Sequence, residues 1–263
     1  MIPSTERWGA GELYEPYMGR WSRLVAREFV PWLEVHRDAS WLDVGAGTGA
    51  LAQAILDMAW PGEVTGVDPA PGVIEDARRR LQGVRFELGD ARSLPSSGSS
   101  FDAVVSGLVL DVVPEPAGAI AEMVRVARPG GVIAAYVWDY AGEMQMLRSF
   151  WDAAVELDPG ATELHEGRRL GALCNEVALA GLCRDAGLRD VLTRPIDVLT
   201  TFRDFDDFWT PFLSDQAPAP GYCVSLSSER REALRERLRT TLPQKPDGSI
   251  HLIARAWAVR GRK

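Results

Sequence analysis

Short runs of apolar and β-branched residues alternate with amphipathic stretches along the first half of the chain. Four such runs, each typical of a buried strand, cover residues 41–44, 63–68, 84–91 and 101–107. The stretch between the first two, residues 50–59, has the composition of a helix. Strands that alternate with helical segments are typical of βαβ units and a parallel sheet. The pattern therefore predicts an α/β fold.

The first of these runs ends in three glycines at alternate positions, Gly45, Gly47 and Gly49. Glycine adopts positive φ without steric cost and has no Cβ, so this spacing predicts a tight strand-to-helix turn whose exposed N–H groups could face a nucleoside cofactor. A dinucleotide loop would have the spacing G-x-G-x-x-G. The acid two residues before the first glycine, Asp43, could face a cationic group, which S-adenosylmethionine supplies as an ammonium and NAD does not.

Acidic residues also end the next two runs. Asp68 lies 25 positions after Asp43, and Asp90 ends the third run. An acid about 20 residues beyond the glycine loop, at the end of the next strand, is the ribose clamp of nucleotide-binding βαβ units. The alternative for each acid is a helix N-cap or a solvated loop residue.

Together these motifs resemble the class I S-adenosylmethionine-dependent methyltransferases, in particular the small-molecule group similar to the ubiquinone/menaquinone-biosynthesis enzymes. The resemblance covers roughly residues 40–138, and the matching pieces are residues 42–49, 64–68, 88–91, 101–114 and 126–131. It implies a doubly wound, Rossmann-like sheet of seven strands with the last strand antiparallel, and helical insertions that form a substrate cap.

The resemblance also implies roles for individual residues. Asp43 would bind the amino group of the cofactor, Asp68 its two ribose hydroxyls and Asp90 its adenine amino group. The further cofactor-binding residues would be Tyr17, Arg20, Gly45, Ala46, Gly47, Pro69, Ala91, Ser106, Gly107 and Leu108. The candidate general bases are Asp111, where the family often has His, and His165, with Tyr140 as an orienting hydroxyl. For His165 the alternative is a surface residue beside Glu163 and Glu166.

Outside the cofactor half, the resemblance implies an N-terminal helical lid over residues 1–40, in which Arg20 would pair with the methionine carboxylate; the alternative is a helix packed on the sheet. The cofactor-binding core spans 41–140, a substrate-cap insertion 141–174, and the C-terminal part of the same domain 175–263 with a second insertion at about 202–242. The aromatics of the second insertion favour a helix core over a pocket by their spacing. The segment Pro218-Ala219-Pro220-Gly221 has the composition of an exposed loop.

Composition narrows the function further. The net charge of −8 and the 46% hydrophobic content argue for a globular domain without a nucleic-acid partner. Three cysteines without a C-x-x-C pair suggest reduced thiols in the cytoplasm, no apolar run approaches a membrane span, and three scattered histidines make a metal site improbable.

We therefore expect direct methyl transfer to a small, apolar or aromatic metabolite by a monomer or homodimer. A non-catalytic S-adenosylmethionine-binding or partner subunit, and a nicotinamide-dependent oxidoreductase, are the alternatives.

Overall fold

The computed structural model describes residues 15–214 and 217–263. Residues 1–14, which belong to the predicted lid, lie outside the described part. The strands are β1 (Ser40–Val44), β2 (Glu63–Asp68), β3 (Arg85–Leu88), β4 (Phe101–Gly107), β5 (Ala127–Trp138), β6 (Arg189–Phe202) and β7 (Ile250–Arg262). The helices are α1 (Arg20–Trp32), α2 (Ala50–Met58), α3 (Pro71–Arg80), α4 (Pro116–Val126), α5 (Gln145–Leu157), α6 (Glu166–Arg169), α7 (Glu176–Asp185), α8 (Phe205–Trp209), α9 (Pro218–Ser225) and α10 (Ser228–Thr241).

The seven strands form one sheet with the order β3-β2-β1-β4-β5-β7-β6. Strands β1 to β5 pair in parallel, and β7 pairs with β5 in the antiparallel direction. This confirms the predicted seven-stranded, Rossmann-like fold with an antiparallel last strand. The strand order reverses between β1 and β4, and ligands of such open sheets bind at the carboxyl ends of the strands beside that reversal.

The described chain divides into two compact units. The first unit contains residues up to Trp21 together with Asp139–Ala172 and Asp197–Arg255, and the second contains Ser22–Trp138, Leu173–Ile196 and Ala256–Lys263. Strands β1 to β5 lie wholly in the second unit. The predicted lid over residues 1–40 is thus divided between the units at Trp21.

The first unit is mainly helical and has an aromatic core. The rings of Phe150 and Phe212 stack with their centroids 4.4 Å apart, and Trp151 packs edge-on against Phe150. Buried aromatic rings contribute both a large apolar area and specific pair geometry. The five aromatics between residues 202 and 212 of the second insertion are all buried, as a helix core requires, and they are Phe202, Phe205, Phe208, Trp209 and Phe212.

One local prediction was wrong. Residues 218–221, expected as an exposed loop, form the first turn of α9, in which Ala219 and Pro220 are buried. Proline is well suited to the first turn of a helix because its missing N–H has no intrahelical partner there. Proline and glycine in the sequence therefore marked the beginning of a helix.

The sequence analysis expected neither a membrane-spanning helix nor a metal site. No helix within residues 15–214 and 217–263 is long and apolar enough to cross a bilayer. The same residues contain no group of three or more His, Cys, Asp or Glu side chains placed to hold a metal ion.

Candidate cofactor site

The glycine loop after β1 is held against the end of β2. The amides of Gly45 and Ala46 both donate to the carbonyl of Val67, at 2.8 and 3.0 Å. The amide of Gly47 donates to Oδ2 of Asp68 at 3.0 Å. The expected row of exposed loop amides is therefore wrong for these three residues, because neighbouring strand ends supply acceptors that the sequence alone does not bring together. What the loop offers a ligand is its shape.

Gly45 shows why that shape requires glycine. Its φ is 75°, and a Cβ at this position would lie 2.4 Å from Cγ2 of Val109, in the segment after β4. Real Cβ atoms do not approach other atoms that closely, so any larger residue would displace either the loop or Val109. The loop after β1 and the segment after β4 therefore pack in direct contact.

Asp43, the fourth residue of β1, is 1% exposed. Among the described residues neither of its carboxylate oxygens has a hydrogen-bond partner. Burial raises the pKa of Asp43 to about 7; the nearby amide of Ala52, in the first turn of α2, opposes this rise, and the charge of Asp68 adds to it. A buried carboxylate without partners is costly, which indicates a cationic or donor group that binds here.

Asp68 ends β2 and is tied to the loops on both sides. Oδ1 accepts from the amide of Ala70 at 2.9 Å, across Pro69, while Oδ2 accepts from Gly47. Burial raises the pKa of this carboxyl, and the two amides partly lower it again. A carboxylate has about four acceptor positions, so two remain for donors such as a pair of hydroxyls.

Asp90 differs from the other two acids. It lies two residues beyond the end of β3, and its carboxylate forms a bidentate pair with Arg92, with Nε to Oδ1 at 3.0 Å and Nη2 to Oδ2 at 2.7 Å. The Arg92 guanidinium lowers the pKa of Asp90 to about 2. An adenine amino group would have to share this carboxylate with Arg92, while the neighbouring Ala91 is buried.

The end of β4 lies beside the same glycine loop. The hydroxyl of Ser106 donates to the carbonyl of Val44 at 2.8 Å and so joins β4 to β1. A Cβ on Gly107 would lie 2.5 Å from the hydroxyl oxygen of Tyr136. Leu108 has a φ of 60°, and its amide donates to the carbonyl of Tyr136. These contacts fix the segment that precedes Asp111, which is half-buried.

Two residues predicted to bind cofactor, Tyr17 and Arg20, lie in the first unit. The ring of Tyr17 is buried and packs edge-on against Phe212, with centroids 5.8 Å apart. Nη1 of Arg20 pairs with Asp207 at 3.2 Å, and its Nε and Nη2 are buried without a hydrogen-bond partner in the described chain. The structure thus gives Arg20 a protein carboxylate on one side only.

His165 has a structural role that the sequence did not reveal. Its Nδ1 accepts from the amide of Gly167 at 3.0 Å and caps α6, and its ring stacks on Trp151 at 5.9 Å. Burial lowers the pKa of His165. In the neutral ring this bond leaves the proton on Nε2, so the lone pair that a general base needs is already engaged. This geometry argues against the general-base assignment, and the half-buried ring is partly at the surface.

The neighbouring Glu166 was expected at the surface and is buried instead. Its Oε2 accepts from Nε1 of Trp151, and burial raises the pKa of its carboxyl to about 7. Tyr140, the proposed orienting hydroxyl, is also buried. No motif in the sequence marks Glu166, because its environment is created by residues from α5 and α9.

The comparisons with known proteins agree with this geometry. A family model described as a methyltransferase domain matches residues 42–135, the stretch that carries Asp43, Asp68 and the glycine loop. A demethylmenaquinone methyltransferase of Renibacterium salmoninarum is 40% identical over 114 residues, which cover 43% of this chain and 45% of that protein. Residues 42–135 therefore carry a methyltransferase domain similar to those of the class I S-adenosylmethionine-dependent methyltransferases. S-adenosylmethionine is the methyl donor of this family.

Similarity outside the core is lower. An uncharacterised methyltransferase of Mycobacterium bovis is 29% identical over 225 residues, covering 83% of this chain and 79% of that protein. The chain therefore spans less than half of the first relative and about four fifths of the second.

Solved structures share the fold at low identity. A candidate methyltransferase of Bacillus halodurans superposes with a TM-score of 0.59 at 17% identity, covering 90% of this chain and 98% of that one. The [4+2]-cyclase SpnF superposes with a TM-score of 0.52 at 18% identity, covering 99% and 85%. Because one fold supports different reactions, the reaction of this chain must be argued from its site.

Proposed function

We propose that this chain binds S-adenosylmethionine at the carboxyl ends of β1, β2 and β4 and transfers its methyl group to a small organic acceptor. The observation that carries the proposal is the partnerless carboxylate of Asp43, buried beside the glycine loop. An ammonium group is the ligand feature that such a carboxylate binds best. NAD offers no ammonium group, so the site favours S-adenosylmethionine.

The roles of the other residues follow from the atoms they have available. Asp68 has two unused acceptor positions for the ribose hydroxyls, and its bonds to Gly47 and Ala70 hold it in place. Gly45 lets the backbone approach the methionine portion closely. Asp90 and Ala91 would contact the adenine, with Arg92 sharing the carboxylate of Asp90.

The sulfonium of the bound cofactor supplies an activated methyl group with a good leaving group. What the chain then contributes is mainly the positioning of the acceptor, which lowers a barrier by about 7 to 11 kcal/mol. A general base typically contributes a factor of about 10² to 10⁴. Asp111 remains the base candidate, because Nδ1 of His165 is engaged as a helix cap. Two relatives are named as methyltransferases of menaquinone or ubiquinone biosynthesis, which supports a small organic acceptor.

The proposal is tested by calorimetric titration with S-adenosylmethionine and with NAD, followed by transfer of a labelled methyl group to a panel of small acceptors. We expect binding of the first ligand only. Asp68→Ala should weaken that binding, since hydrogen bonds to charged groups contribute about 1.5 to 3 kcal/mol each, whereas Glu75→Ala, which removes an exposed acid of α3, should not. Tight binding of S-adenosylmethionine by Asp68→Ala would contradict the assignment.

A further inference from the structure

Three residues of the first unit carry buried polar atoms that have no hydrogen-bond partner within the described chain. The atoms are Nε and Nη2 of Arg20, Nε1 of Trp21 and Oγ1 of Thr200. In folded proteins roughly nine in ten buried polar groups or more have a partner. Several unpartnered donors on neighbouring residues therefore point to a ligand that supplies the acceptors. We call Arg20, Trp21 and Thr200 the donor cluster.

Two members of the donor cluster, Arg20 and Trp21, pack against the ring of Phe202. Cζ of Arg20 lies 4.3 Å from the ring centroid of Trp21 and 4.8 Å from that of Phe202. The rings of Trp21 and Phe202 are 5.4 Å apart. Thr200 lies two residues before Phe202 in β6, and both are 0% exposed, so their side chains share the inner face of the strand.

The available atoms of Arg20 define what can bind. Nη1 of Arg20 donates to both carboxylate oxygens of Asp207, at 3.2 and 3.4 Å, and these bonds hold the guanidinium in place. Nε and Nη2 form the remaining edge, where two parallel donors match the two oxygens of a carboxylate. The indole N–H of Trp21 is also only a donor. The donor cluster therefore selects a group that presents acceptors alone.

We propose that the donor cluster binds a carboxylate on the acceptor substrate, an inference that rests on the proposed methyl transfer. The ring of Phe202, which lies against Arg20 and Trp21, adjoins the donor cluster and suits an aryl or alkyl group attached to that carboxylate. The acceptor is thus an apolar or aromatic carboxylic acid, a narrower class than the uncharged or aromatic metabolite expected from the sequence.

A substrate carboxylate fits the donor cluster better than the methionine carboxylate assigned to Arg20 from the sequence. The methionine carboxylate carries an ammonium on the adjacent carbon, which would need an acceptor close to the guanidinium. The nearby acid, Asp207, already accepts from Arg20 and from the amide of Arg203 at 3.0 Å. The free donors are shielded from water, and 30% of the Arg20 side chain is exposed, so a ligand would enter along Arg20.

The test uses phenylacetate and its neutral analogue phenylacetamide as probes, titrated into the full chain and followed by ligand-observed NMR. We expect phenylacetate to bind at least about tenfold more tightly than phenylacetamide. Arg20→Lys keeps the positive charge but removes the two parallel N–H donors of the guanidinium. It should weaken phenylacetate binding by about tenfold or more. Arg203→Lys, on an 85% exposed side chain near the same Asp207, is the matched control and should change it less than twofold.

Thr200→Val tests whether a loss of phenylacetate binding could come from misfolding of the variant. The substitution is close in shape and removes a buried hydroxyl that has no partner, so the melting temperature of the ligand-free protein should not fall. Phenylacetate binding should nevertheless weaken by about three- to tenfold. An unchanged phenylacetate affinity in this variant would show that Thr200 does not contact the ligand and would overturn the proposed donor cluster.

S-adenosylmethionine affinity, measured in the same variants, separates this inference from the proposed function. Affinity within twofold of wild type in Arg20→Lys supports a substrate site. A large loss there, with no selectivity for phenylacetate in the wild type, would assign Arg20 to the cofactor and overturn the inference while the proposed function stands. Selective phenylacetate binding by a wild-type protein that does not bind S-adenosylmethionine would instead refute the proposed function.

Discussion

The candidate cofactor site in the second unit and the donor cluster in the first unit contain unpartnered buried polar atoms of opposite character. At the cofactor site these atoms are acceptors, the two oxygens of Asp43. In the donor cluster they can donate, on Arg20, Trp21 and Thr200. A buried acceptor pair suits a cation and a buried donor set suits an anion, so the contrast assigns a different half of the chemistry to each unit. Under the two proposals, a ligand supplies the missing partners of each set.

The sharpest way to break this comparison is Asp43→Asn. The change removes the charge that would hold the ammonium of the cofactor, so S-adenosylmethionine binding should fall by about a hundredfold or more. The ligand-free protein should become more stable at pH 8, by roughly 1 to 3 kcal/mol, because ionised Asp43 is buried without partners. Calorimetry and thermal unfolding measure the two effects.

The pH dependence of that stability has a definite sign. The pKa of Asp43 is raised from 3.8 to about 7 in the folded chain. The stabilising contribution of its neutral form is therefore complete below about pH 4 and is lost as the pH rises to about 7. The stability gained in Asp43→Asn should accordingly vanish at pH 4.

Asp102→Asn is the control for these measurements. Burial alone would raise the pKa of Asp102, but the amide of Ser40 and the guanidinium of Arg128 lower it to about 2. Its loss should destabilise the protein at neutral pH and leave cofactor affinity unchanged. A stabilised Asp102→Asn would show that removing any acid from this sheet has the same effect.

A second prediction concerns the shape of the glycine loop. Gly45→Ala places a Cβ against Val109 and should cost about 1 to 3 kcal/mol of stability together with most of the cofactor affinity. Gly130→Ala shares a positive φ, 78° against 75°, but its Cβ would meet nothing within 4 Å. Gly130→Ala should therefore lose only the stability that a non-glycine residue at positive φ costs, with normal S-adenosylmethionine binding in calorimetry. Equal effects of the two changes would mean that contact with Val109 is unimportant.

The smallest expected effect belongs to His165. Asparagine also caps helix N-termini, so His165→Asn should retain α6 and keep the methyl-transfer rate within about twofold once an acceptor is known. A loss of about 10² to 10⁴ in rate, the range for a general base, would restore His165 to the catalytic residues.

The sequence predicted the fold of the second unit well because its signals are local. Asp43 and Asp68 end strands whose apolar runs are visible in the chain, and the sheet order follows from the family resemblance. The chain alone did not show that Val67 accepts from the loop amides, because that contact joins the ends of two strands. The parallel pairing of β1 with β2 decides which amides of the glycine loop remain available to a ligand.

Predictions in the first unit were weaker for a related reason. Thr200 and Glu166 carry no motif, and their burial depends on helices that are distant in the sequence. Pro218 marked a helix start that was interpreted as a loop. The spacing of the aromatics did indicate a core, because burial on a helix face follows from the sequence period alone.

The central claim is that Asp43 receives the ammonium of S-adenosylmethionine in its ionised form. Calorimetric titration at pH 6 in two buffers of different ionisation enthalpy tests it directly. With a pKa of about 7, Asp43 is mostly protonated in the ligand-free chain at that pH, so binding should release close to one proton, and Asp43→Asn should release none. Tight binding without proton release in the wild type, or undiminished binding by Asp43→Asn, would contradict the account.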